Sequence, residues 1–461
     1  RRGRKKGKGA KGDMINRNRL TEVRAAEEAR FRESNPKSAE AAEDRAFGWH
    51  QGVPFHWMRD WPSPFPLTAA HAHGATLTTL DGDVLDDFCL GDTAAMFGHS
   101  PEALTHALAL QAGQGLSYML PSAKAAEVGA LLAGRFHLPH WQLTTSASEA
   151  NRSVIRWARA ITGRDKILVF NGCYHGAVDD VFVDLRNGHP ETRRSLVGQV
   201  WDVRKHTIAI EFNDGRALEA ALEDGNIAAV LAEPVMTNCG MVLPRPGFLA
   251  LMREATARTG TLLIWDETHT ISSGPGGHSG SYGPAGDMFV IGKSIGGGVP
   301  CAAFGFSHEV ATRMEAYRAT LPPGHSGIGT TLSANALAIS AMHAMLDDVM
   351  SPHAYSHMLG LGQMLAGRIE GVIDRHQLPW HLSSVGARVE IVCAPKPPTN
   401  GTEARAAMDH DLESLIHLML VNRGTLLAPF HNMMLVSPVT TVEQVGRLAD
   451  HLDDAVSALL S

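Results

Sequence analysis

The sequence predicts an α/β protein in which a mostly parallel sheet is covered by helices. From Trp141 onwards, short apolar runs that indicate strands alternate with amphipathic segments that indicate helices. This alternation is typical of a mainly parallel sheet with helices on its faces. Polar clusters follow several of the apolar runs. Because ligands of such sheets bind beyond the carboxyl ends of the strands, a site is expected at these clusters.

The chain before Trp141 is predicted to be less regular. Residues 16–34 have a helical periodicity, and apolar runs at 75–80 and 84–89 indicate two strands around a turn. Between residues 48 and 66 the chain is rich in Trp, Pro and Phe. We expect that stretch to be irregular and to lie against a folded surface.

The α/β part shows its elements as separate runs. Strands are expected at 141–145, 167–170, 228–232, 261–265, 288–291 and 302–306, and helices at 146–163 and 248–258. A further helix is expected from 335 to about 346. Residues 353–461 then indicate a smaller α+β unit, with a long helix to 375, a strand at 389–392, a helix through 422, a strand pair near 426–437 and a closing helix.

These patterns divide the chain into four parts. We predict a tail (1–13), an N-terminal segment that packs with the small domain (14–90), a large domain (91–350) and a C-terminal small domain (351–461). The tail carries seven Lys or Arg and one Asp, whereas the whole chain has a formal net charge of −7. A basic run can bind nucleic acid, but the rest of the chain is acidic, so we expect no such partner. We interpret the run as an appended, disordered tail, with Met14 as the native start.

Composition favours a globular protein of the cytoplasm. The 461 residues are 44% hydrophobic and 19% charged. No stretch approaches the roughly eighteen consecutive apolar residues of a membrane-spanning helix, so no membrane partner is expected. The five cysteines have no C-x-x-C spacing, which favours a reducing compartment. No metal site is expected, because His71, His73 and His99 have no ligand-like partners at useful spacing.

Lys293 lies between two apolar runs, 288–291 and 302–306, at the start of a Gly-rich stretch. Burial lowers the pKa of a lysine, and a neutral amine can form a Schiff base with an aldehyde. The alternative is a lysine whose stem packs while its ammonium reaches water, and this stretch alone does not decide between them. The letters GKS also resemble the end of a phosphate-binding NTPase loop. Asp287 stands where that loop needs a glycine, which excludes an NTPase.

A phosphate could bind where the strand at 141–145 meets its helix. Ser146, Ala147 and Ser148 would offer free N–H groups and small hydroxyl side chains at the helix N-terminus. Alternatively, Ser146 and Glu149 match a helix capping box.

Two more clusters follow later strands. Tyr174 and His175 come just past the strand at 167–170, where an aromatic ring could stack on a planar ligand or simply pack. Asp266 and Glu267 end the strand at 261–265. A buried carboxylate there is costly unless a cation, such as a protonated pyridine nitrogen, meets it. Together with Lys293, these parts fit pyridoxal 5′-phosphate (PLP), which needs a lysine, an acid, a phosphate site and an aromatic ring.

The sequence resembles the class III (subgroup II) aminotransferases of PLP fold type I, including glutamate-1-semialdehyde 2,1-aminomutase and related aminotransferases. The resemblance extends from about residue 52 to the C-terminus. It rests on the motifs YHG, AEPV, WDETHT, IGKSIGGGVP and GTTLSAN in this order. It implies a large domain with a mostly parallel, seven-stranded-type sheet, and a smaller α+β domain built from the N- and C-terminal segments.

The resemblance also implies roles for the site residues. Lys293 would form the Schiff base and shuttle the proton, Asp266 would pair with the pyridinium nitrogen, and Tyr174 would stack on the ring with His175 beside it. The other implied cofactor contacts are Ser146, Ala147 and Ser148 at the phosphate with Thr331 of the partner subunit, Glu233 and Asn238 at the ring-oxygen side, and Thr268 at the second ring face. Ala147 replaces a usual glycine and needs a negative φ, and Thr268 replaces a usual valine.

These residues predict a dimeric aminotransferase, with active sites at the subunit interface, that moves an amino group between an amino acid or amine and a keto acid, aldehyde or ketone. The alternative is a PLP-dependent isomerase, either an aminomutase of the glutamate-1-semialdehyde type or an amino acid racemase. Intact Lys293, Asp266 and Ser146 disfavour a non-catalytic cofactor-binding protein. If the substrate carries a carboxylate, Arg59 and Arg388 are the candidates to bind it.

Overall fold

The structure is a computed structural model that describes residues 15–44, 48–323, 327–429 and 431–461. The predicted tail at 1–13 and the expected native start, Met14, lie outside the described residues. Among the described helices, none combines the length and the apolar character that crossing a membrane requires.

The helices of the described residues are α1 (Arg17–Ser34), α2 (Pro36–Asp44), α3 (Glu102–Ala112), α4 (Ala125–Phe136), α5 (Ala147–Thr162), α6 (Gly215–Glu223), α7 (Phe248–Thr259), α8 (Gly277–Tyr282), α9 (His308–Arg318), α10 (Ala336–Ala344), α11 (Pro352–Arg375), α12 (Gly401–Ala407), α13 (His410–Val421) and α14 (Val442–Leu460). The strands are β1 (Ala69–His73), β2 (Thr76–Thr79), β3 (Val84–Asp87), β4 (His140–Thr144), β5 (Lys166–Phe170), β6 (Val183–Arg186), β7 (His189–Thr192), β8 (Thr207–Ile210), β9 (Ile227–Ala232), β10 (Leu262–Asp266), β11 (Met288–Ile291), β12 (Ala302–Phe306), β13 (His381–Val385), β14 (Arg388–Val392), β15 (Thr425–Leu426) and β16 (Met433–Leu435).

A seven-stranded sheet forms the centre of the protein, in the order β4-β12-β11-β10-β9-β5-β8. Only β12 runs antiparallel to its neighbours, so the prediction of a mostly parallel sheet flanked by helices is confirmed. Strands β9, β10, β11 and β12 are buried along their whole length. Helices cover them on both faces, which is why these strands appear in the sequence as unbroken apolar runs.

Two smaller sheets contain strands from the C-terminal part of the chain, and the first of them also contains the N-terminal strands. The first has the order β1-β2-β3-β15, with Thr425 of β15 opposite Asp86 of β3 in a parallel pairing. The second is antiparallel, in the order β13-β14-β16. Two strands, β15 and β16, do lie in the stretch expected at 426–437, but their expected pairing is wrong, because they belong to different sheets. Each of the two strands satisfies its backbone groups on a distant strand. The predicted domain boundaries remain a prediction.

A tight turn joins the antiparallel sheet to the loop that follows β10. Gly386, between β13 and β14, has a φ of 59°. A Cβ atom there would lie 2.4 Å from the carbonyl oxygen of Ser272. The next residue, Ala387, donates its N–H to that same carbonyl at 3.0 Å. Only glycine combines this backbone conformation with this close approach, so the small sheet is fixed to the large one at this point.

We expect Gly386→Ala to destabilise the protein by about 2–4 kcal/mol, because it adds a left-handed backbone penalty and a clash with backbone atoms. Gly371→Ala is the matched control, since Gly371 is an exposed residue within α11 and a Cβ there would meet nothing within 4 Å. The free energy of unfolding of that control should rise by about 0.5–1 kcal/mol, because alanine has a higher helix propensity than glycine. Urea unfolding measures the free energy of unfolding of both variants. Changes of the same sign relative to wild type would contradict the role of Gly386 in holding the small sheet against Ser272.

Candidate active site

A cavity of about 280 Å³ lies beside the carboxyl ends of β10 and β11 and the N-terminus of α5. Its size is close to the lower end of the roughly 300–1,000 Å³ that is usual for small-molecule sites. Nine residues predicted from the sequence line it: Ser146, Ala147, Ser148, Tyr174, His175, Glu233, Asp266, Thr268 and Lys293. The structure thus brings together side chains that come from five separate parts of the chain.

Lys293 is separated from the end of β11 by Gly292 and begins a short 3₁₀ turn. Its φ of 49° lies in the left-handed region, which residues with side chains seldom adopt. Its Nζ donates to Oδ2 of Asp92 at 2.7 Å and is hydrogen-bonded to Nε2 of His269. The amine is therefore held in the cavity by a carboxylate and an imidazole. Such strained backbone is found at functional sites, where the surrounding structure holds it in place.

Asp266 is the last residue of β10, and it is buried. Its Oδ1 accepts hydrogen bonds from the N–H and the hydroxyl of Thr268, at 3.1 and 2.7 Å. Its Oδ2 accepts one from Nδ2 of Asn151 at 2.8 Å and lies 2.9 Å from Nδ1 of His175. Burial alone would raise the pKa of Asp266, but these donors lower it to about 2. The carboxylate is thus ionised at neutral pH inside the protein.

His175 is the cationic partner of that carboxylate. Its side chain is fully buried, and burial alone would lower its pKa. The hydrogen bond to Asp266 outweighs burial and raises the pKa of His175 to about 10. Asn151, on α5, also donates to the carbonyl oxygen of His175 at 3.0 Å. Asn151 was not predicted as a site residue. The signal available in the sequence was that it is a polar residue on the apolar face of an amphipathic helix.

The start of α5, where a phosphate site is predicted, lies at the cavity. Ser146 is the N-cap, and its Oγ accepts the N–H of Glu149 at 3.2 Å. The Glu149 carboxylate turns instead to the N–H and hydroxyl of Thr145, so only half of the capping box forms. Ala147 is the first helical residue and is not among the residues with positive φ, as its replacement of a glycine requires. The helix N-terminus is thus suited to an anion.

Gly176 packs closely on this helix start. A Cβ atom at Gly176 would lie 2.2 Å from Oγ of Ser148, and Ala177 donates its N–H to that hydroxyl at 3.0 Å. The loop that carries His175 is therefore fixed directly against the start of α5.

A buried hydrogen-bonded chain extends from the lysine. His269 receives the contact from Lys293 through Nε2, and its Nδ1 lies 2.6 Å from Oγ1 of Thr237. Thr237 in turn donates to Oε2 of Glu233, and Nδ2 of Asn238 lies 3.5 Å from Oε1 of the same residue. Burial raises the pKa of Glu233 to about 7. Burial and the ammonium of Lys293 lower the pKa of His269 well below its usual value, so its ring is neutral at pH 7.

Asp92 was also missed, because its orientation depends on an unusual backbone. Leu90, Gly91, Asp92 and Thr93 all have positive φ, between 47° and 84°. The hydroxyl of Thr93 accepts a hydrogen bond from Nη2 of buried Arg388 at 2.6 Å, which holds the turn from below. Partial burial would raise the pKa of Asp92, but Lys293, His269 and Arg388 lower it below its ordinary value. The signal available in the sequence was a polar pair, Asp-Thr, after a predicted strand.

Four predicted residues lie away from the cavity lining. Asn238 lies behind the lining, where its Nδ2 is 3.5 Å from both Oε1 of Glu233 and Nδ1 of His269. Thr331 is an exposed turn residue. Arg59 is exposed and donates to the carbonyl oxygen of Gln51 at 2.8 Å. Arg388 is buried beneath Thr93. The expected substrate and partner-subunit roles of these residues remain predictions.

The residues present fit PLP. The cavity offers an amine at Lys293, an ionised carboxylate at Asp266 and a helix N-terminus at Ser146. Tyr174, with 46% of its surface exposed, borders the same cavity. Thr268 stands where the family usually has valine, and its hydroxyl donates a hydrogen bond to Asp266. In the described ranges, no group of three or more His, Cys, Asp or Glu residues is arranged to hold a metal ion.

Comparisons with known proteins agree with this geometry. The profile of the family Aminotransferase class-III matches residues 58–459. The chain is 31% identical over 400 residues to a glutamate-1-semialdehyde 2,1-aminomutase of Gemmatimonas aurantiaca, covering 86% of this chain and 90% of that protein.

Solved structures show the same likeness. A glutamate-1-semialdehyde-aminomutase from Pseudomonas aeruginosa PAO1 has a TM-score of 0.94 and 44% identity, covering 96% of this chain and 99% of that one, and a variant of it is solved in complex with PMP. A β-phenylalanine aminotransferase from Variovorax paradoxus has a TM-score of 0.85 and 26% identity, covering 95% and 97% of the two chains. The chain therefore belongs to the class III aminotransferases, the PLP-dependent enzymes of fold type I that its motifs resemble.

Proposed function

We propose that this protein is an aminomutase that moves the amino group of glutamate 1-semialdehyde between carbons 2 and 1. The observation that carries the proposal is the 44% identity over 96% of the chain to a protein of that name. This proposal favours the isomerase, which was the alternative from the sequence, over net amino transfer.

The charges around Lys293 support this substrate. In glutamate 1-semialdehyde the only carboxylate is on carbon 5, away from the two carbons that react. The carboxylate of Asp92 contacts the amine of Lys293, which lines the cavity, and among the described lining residues there is no arginine. An α-amino acid would bring its own carboxylate next to the reacting carbon and would be repelled there. The semialdehyde avoids that repulsion.

The chain's own residues would divide the work as follows. When bound, PLP supplies an electron sink for the carbon that loses a proton. Lys293, with the one side-chain amine among the described lining residues, would hold the cofactor and carry the proton. Asp266 would hold its negative charge opposite the ring nitrogen, with His175 fixing its orientation. His269, neutral and hydrogen-bonded to Nζ, would orient the amine for proton transfer.

An aminotransferase is the second candidate, because the matching family profile has that name and a β-phenylalanine aminotransferase shares the fold at 26% identity. For either reaction we propose a cytoplasmic homodimer in which Thr331 of the partner subunit completes the phosphate site. Arg59 is the exposed candidate for a substrate carboxylate that lies far from the reacting carbon.

We expect the PLP-loaded enzyme to convert glutamate 1-semialdehyde into its isomer with the amino group on carbon 1. Chromatography that resolves the two isomers measures the reaction, and Lys293→Ala is the control that should be inactive. Pyruvate, added as an acceptor, should collect no more than a trace of the amino groups. Stoichiometric alanine formation without isomerisation would show that the enzyme is an aminotransferase instead.

We expect Asp266→Asn to reduce turnover by about 100-fold or more while the fold stays intact. An opposite charge nearby changes a pKa by roughly 1–3 units, and the variant removes the charge that keeps the ring nitrogen protonated. Thr268→Val is the matched variant, because it removes one hydrogen bond to Asp266 but keeps the charge. Its turnover should fall far less than that of Asp266→Asn. Specific activity and near-UV circular dichroism of both variants test this, and an active Asp266→Asn enzyme would refute the role.

We expect the melting temperature of cofactor-free Glu233→Gln, relative to wild type, to be higher at pH 8 than at pH 5. The pKa of Glu233 is about 7 in the folded protein, above its ordinary value of 4.5. The folded state therefore binds a proton that the unfolded chain releases, and wild type loses that stability as pH rises through 7, at about 1.4 kcal/mol per pKa unit. The exposed Glu309→Gln is the control and should show no such trend. A pH-independent difference for Glu233→Gln would contradict the raised pKa.

A further inference from the structure

The hydrogen-bonded chain that extends from Lys293 ends at a buried carboxyl group. It runs from Nζ through the ring of His269 and the hydroxyl of Thr237 to Oε2 of Glu233. His269, Thr237 and Glu233 are 7%, 1% and 5% exposed, respectively. The Lys293 side chain, which lines the cavity, is 29% exposed. The chain therefore connects the more accessible amine to an acid that water scarcely reaches.

Thr237 is the bridge between the imidazole and the carboxyl group. Nδ1 of His269 lies 2.6 Å from Oγ1 of Thr237 but 3.9 Å from Oε2 of Glu233, which is too far for a direct hydrogen bond. Nδ2 of Asn238 also approaches the chain, at 3.4 Å from Oγ1 of Thr237 and 3.5 Å from Nδ1 of His269. These are longer contacts, and an amide does not pass a proton on. The path from the ring to the acid thus goes through the hydroxyl.

The hydroxyl of Thr237 gives the chain a direction, because it has one proton to donate. While Glu233 is ionised, Thr237 donates to its carboxylate and accepts the Nδ1–H of His269. Nε2 of His269 then has a free electron pair, which accepts a hydrogen bond from the ammonium of Lys293. Each donor in the chain therefore faces an acceptor, and each proton is one hydrogen bond away from the group that could take it.

Burial favours the movement of a proton along this chain. An ammonium and a carboxylate carry two charges, whereas an amine and a carboxylic acid carry none, and burying charges is costly. Burial raises the pKa of Glu233 to about 7, so this acid takes up a proton more readily than an acid in water. The neutral ring of His269 can accept a proton at Nε2 while it releases the one at Nδ1.

We propose that the side chains of His269, Thr237 and Glu233 form a relay that stores the proton of the reacting amine inside the protein. The proton of Nζ moves to Nε2 of His269, the Nδ1 proton moves to Oγ1 of Thr237, and the hydroxyl proton moves to Oε2 of Glu233. Lys293 becomes a neutral amine and Glu233 a neutral acid, while the two residues between them end neutral, with their hydrogen bonds reversed. The reverse movement returns the proton.

The relay produces the form of Lys293 that both candidate reactions need. An amine acts as a nucleophile or as a base only when its electron pair is free. The inference therefore goes beyond the proposed function, because it holds for an aminomutase and for an aminotransferase.

The groups around the relay keep one charge state near pH 7, where Glu233 titrates. The titratable groups that face it from the surrounding elements are Asp92, His175, Cys239, Asp266 and Arg388. The pKa of Asp266 is about 2 and that of His175 is about 10. Burial raises the pKa of the Cys239 thiol well above its usual value. Burial also raises the pKa of Asp92, but the neighbouring Lys293 lowers it below its ordinary value, and a guanidinium stays protonated in proteins.

Trace acetylation of the full chain without cofactor tests the relay, because acetic anhydride reacts with an amine only in its neutral form. Peptide mass spectrometry measures the rate at Lys293, and added butylamine is the reference. In wild type the rate at Lys293 should rise up to about pH 7 and then stay within about twofold up to about pH 9, whereas the reference should rise about tenfold per pH unit. The plateau is expected because the proton that leaves Lys293 stays on Glu233, so the amount of neutral amine no longer depends on pH.

Three variants separate the relay from a merely structural role. Glu233→Gln removes the proton store, so Lys293 has to release its proton to solvent, and its rate should rise about tenfold per pH unit like the reference. Thr237→Val breaks the bridge at nearly unchanged volume and should show the same rise. Thr237→Ser is the matched variant, because it restores the hydroxyl, and it should restore the plateau.

Melting temperature and near-UV circular dichroism show that each variant is folded. A wild-type rate at Lys293 that follows the reference above about pH 7 would overturn the proposal, and so would a plateau that persists in Glu233→Gln or in Thr237→Val. If Glu233→Gln does not fold, the two Thr237 variants decide: equal profiles for valine and serine would mean that no proton passes through the hydroxyl. The measurement uses no substrate, so a wild type that has the plateau but does not isomerise the semialdehyde would refute the aminomutase and leave the relay intact.

Discussion

Asp266 lies at the end of a fully buried strand, and the rest of the site is arranged to keep its carboxyl group ionised. Taking a carboxylate out of water costs several kcal/mol unless donors replace the water. Here the donors come from three separate elements: Asn151 on α5, His175 after β5, and Thr268 in the turn after β10. These elements must therefore keep fixed positions relative to one another. The same fixed positions place the start of α5 and the turn of Lys293 at the cavity.

The central sheet could be predicted because the burial of its strands requires a sequence pattern that is easy to recognise. Strands covered on both faces become short apolar runs, so β9 to β12 were found with errors of one residue or less at each end. Strand β1 was missed, since four of its five residues are exposed and it has no apolar run. The pairing of β15 with β3 was missed because partner choice between distant strands is a tertiary matter that local patterns do not record.

The site residues that could be predicted are those that a short sequence motif is enough to identify. Asp266 is the last residue of a buried strand and Lys293 comes two residues after the end of the next one, and the structure brings both to one cavity. Asp92 differs, because it stands 201 residues before the lysine that it contacts. Its direction is set by a left-handed turn, and no side-chain pattern indicates such a turn when three of its four residues are not glycine. His269 was inside a quoted motif but had no assigned role, since its partner Thr237 comes from another loop.

The parallel pairing of β3 with β15 has a consequence for how the chain folds during synthesis. Strands β1 to β3 leave the ribosome early, but the strand that completes their sheet is made only after the whole seven-stranded sheet. Until then β3 presents an open edge, which is a template for pairing with the wrong chain. Contacts between such distant residues also form slowly, because a large loop must close first. We therefore expect this edge of β3 to stay unpaired for most of the time that synthesis takes.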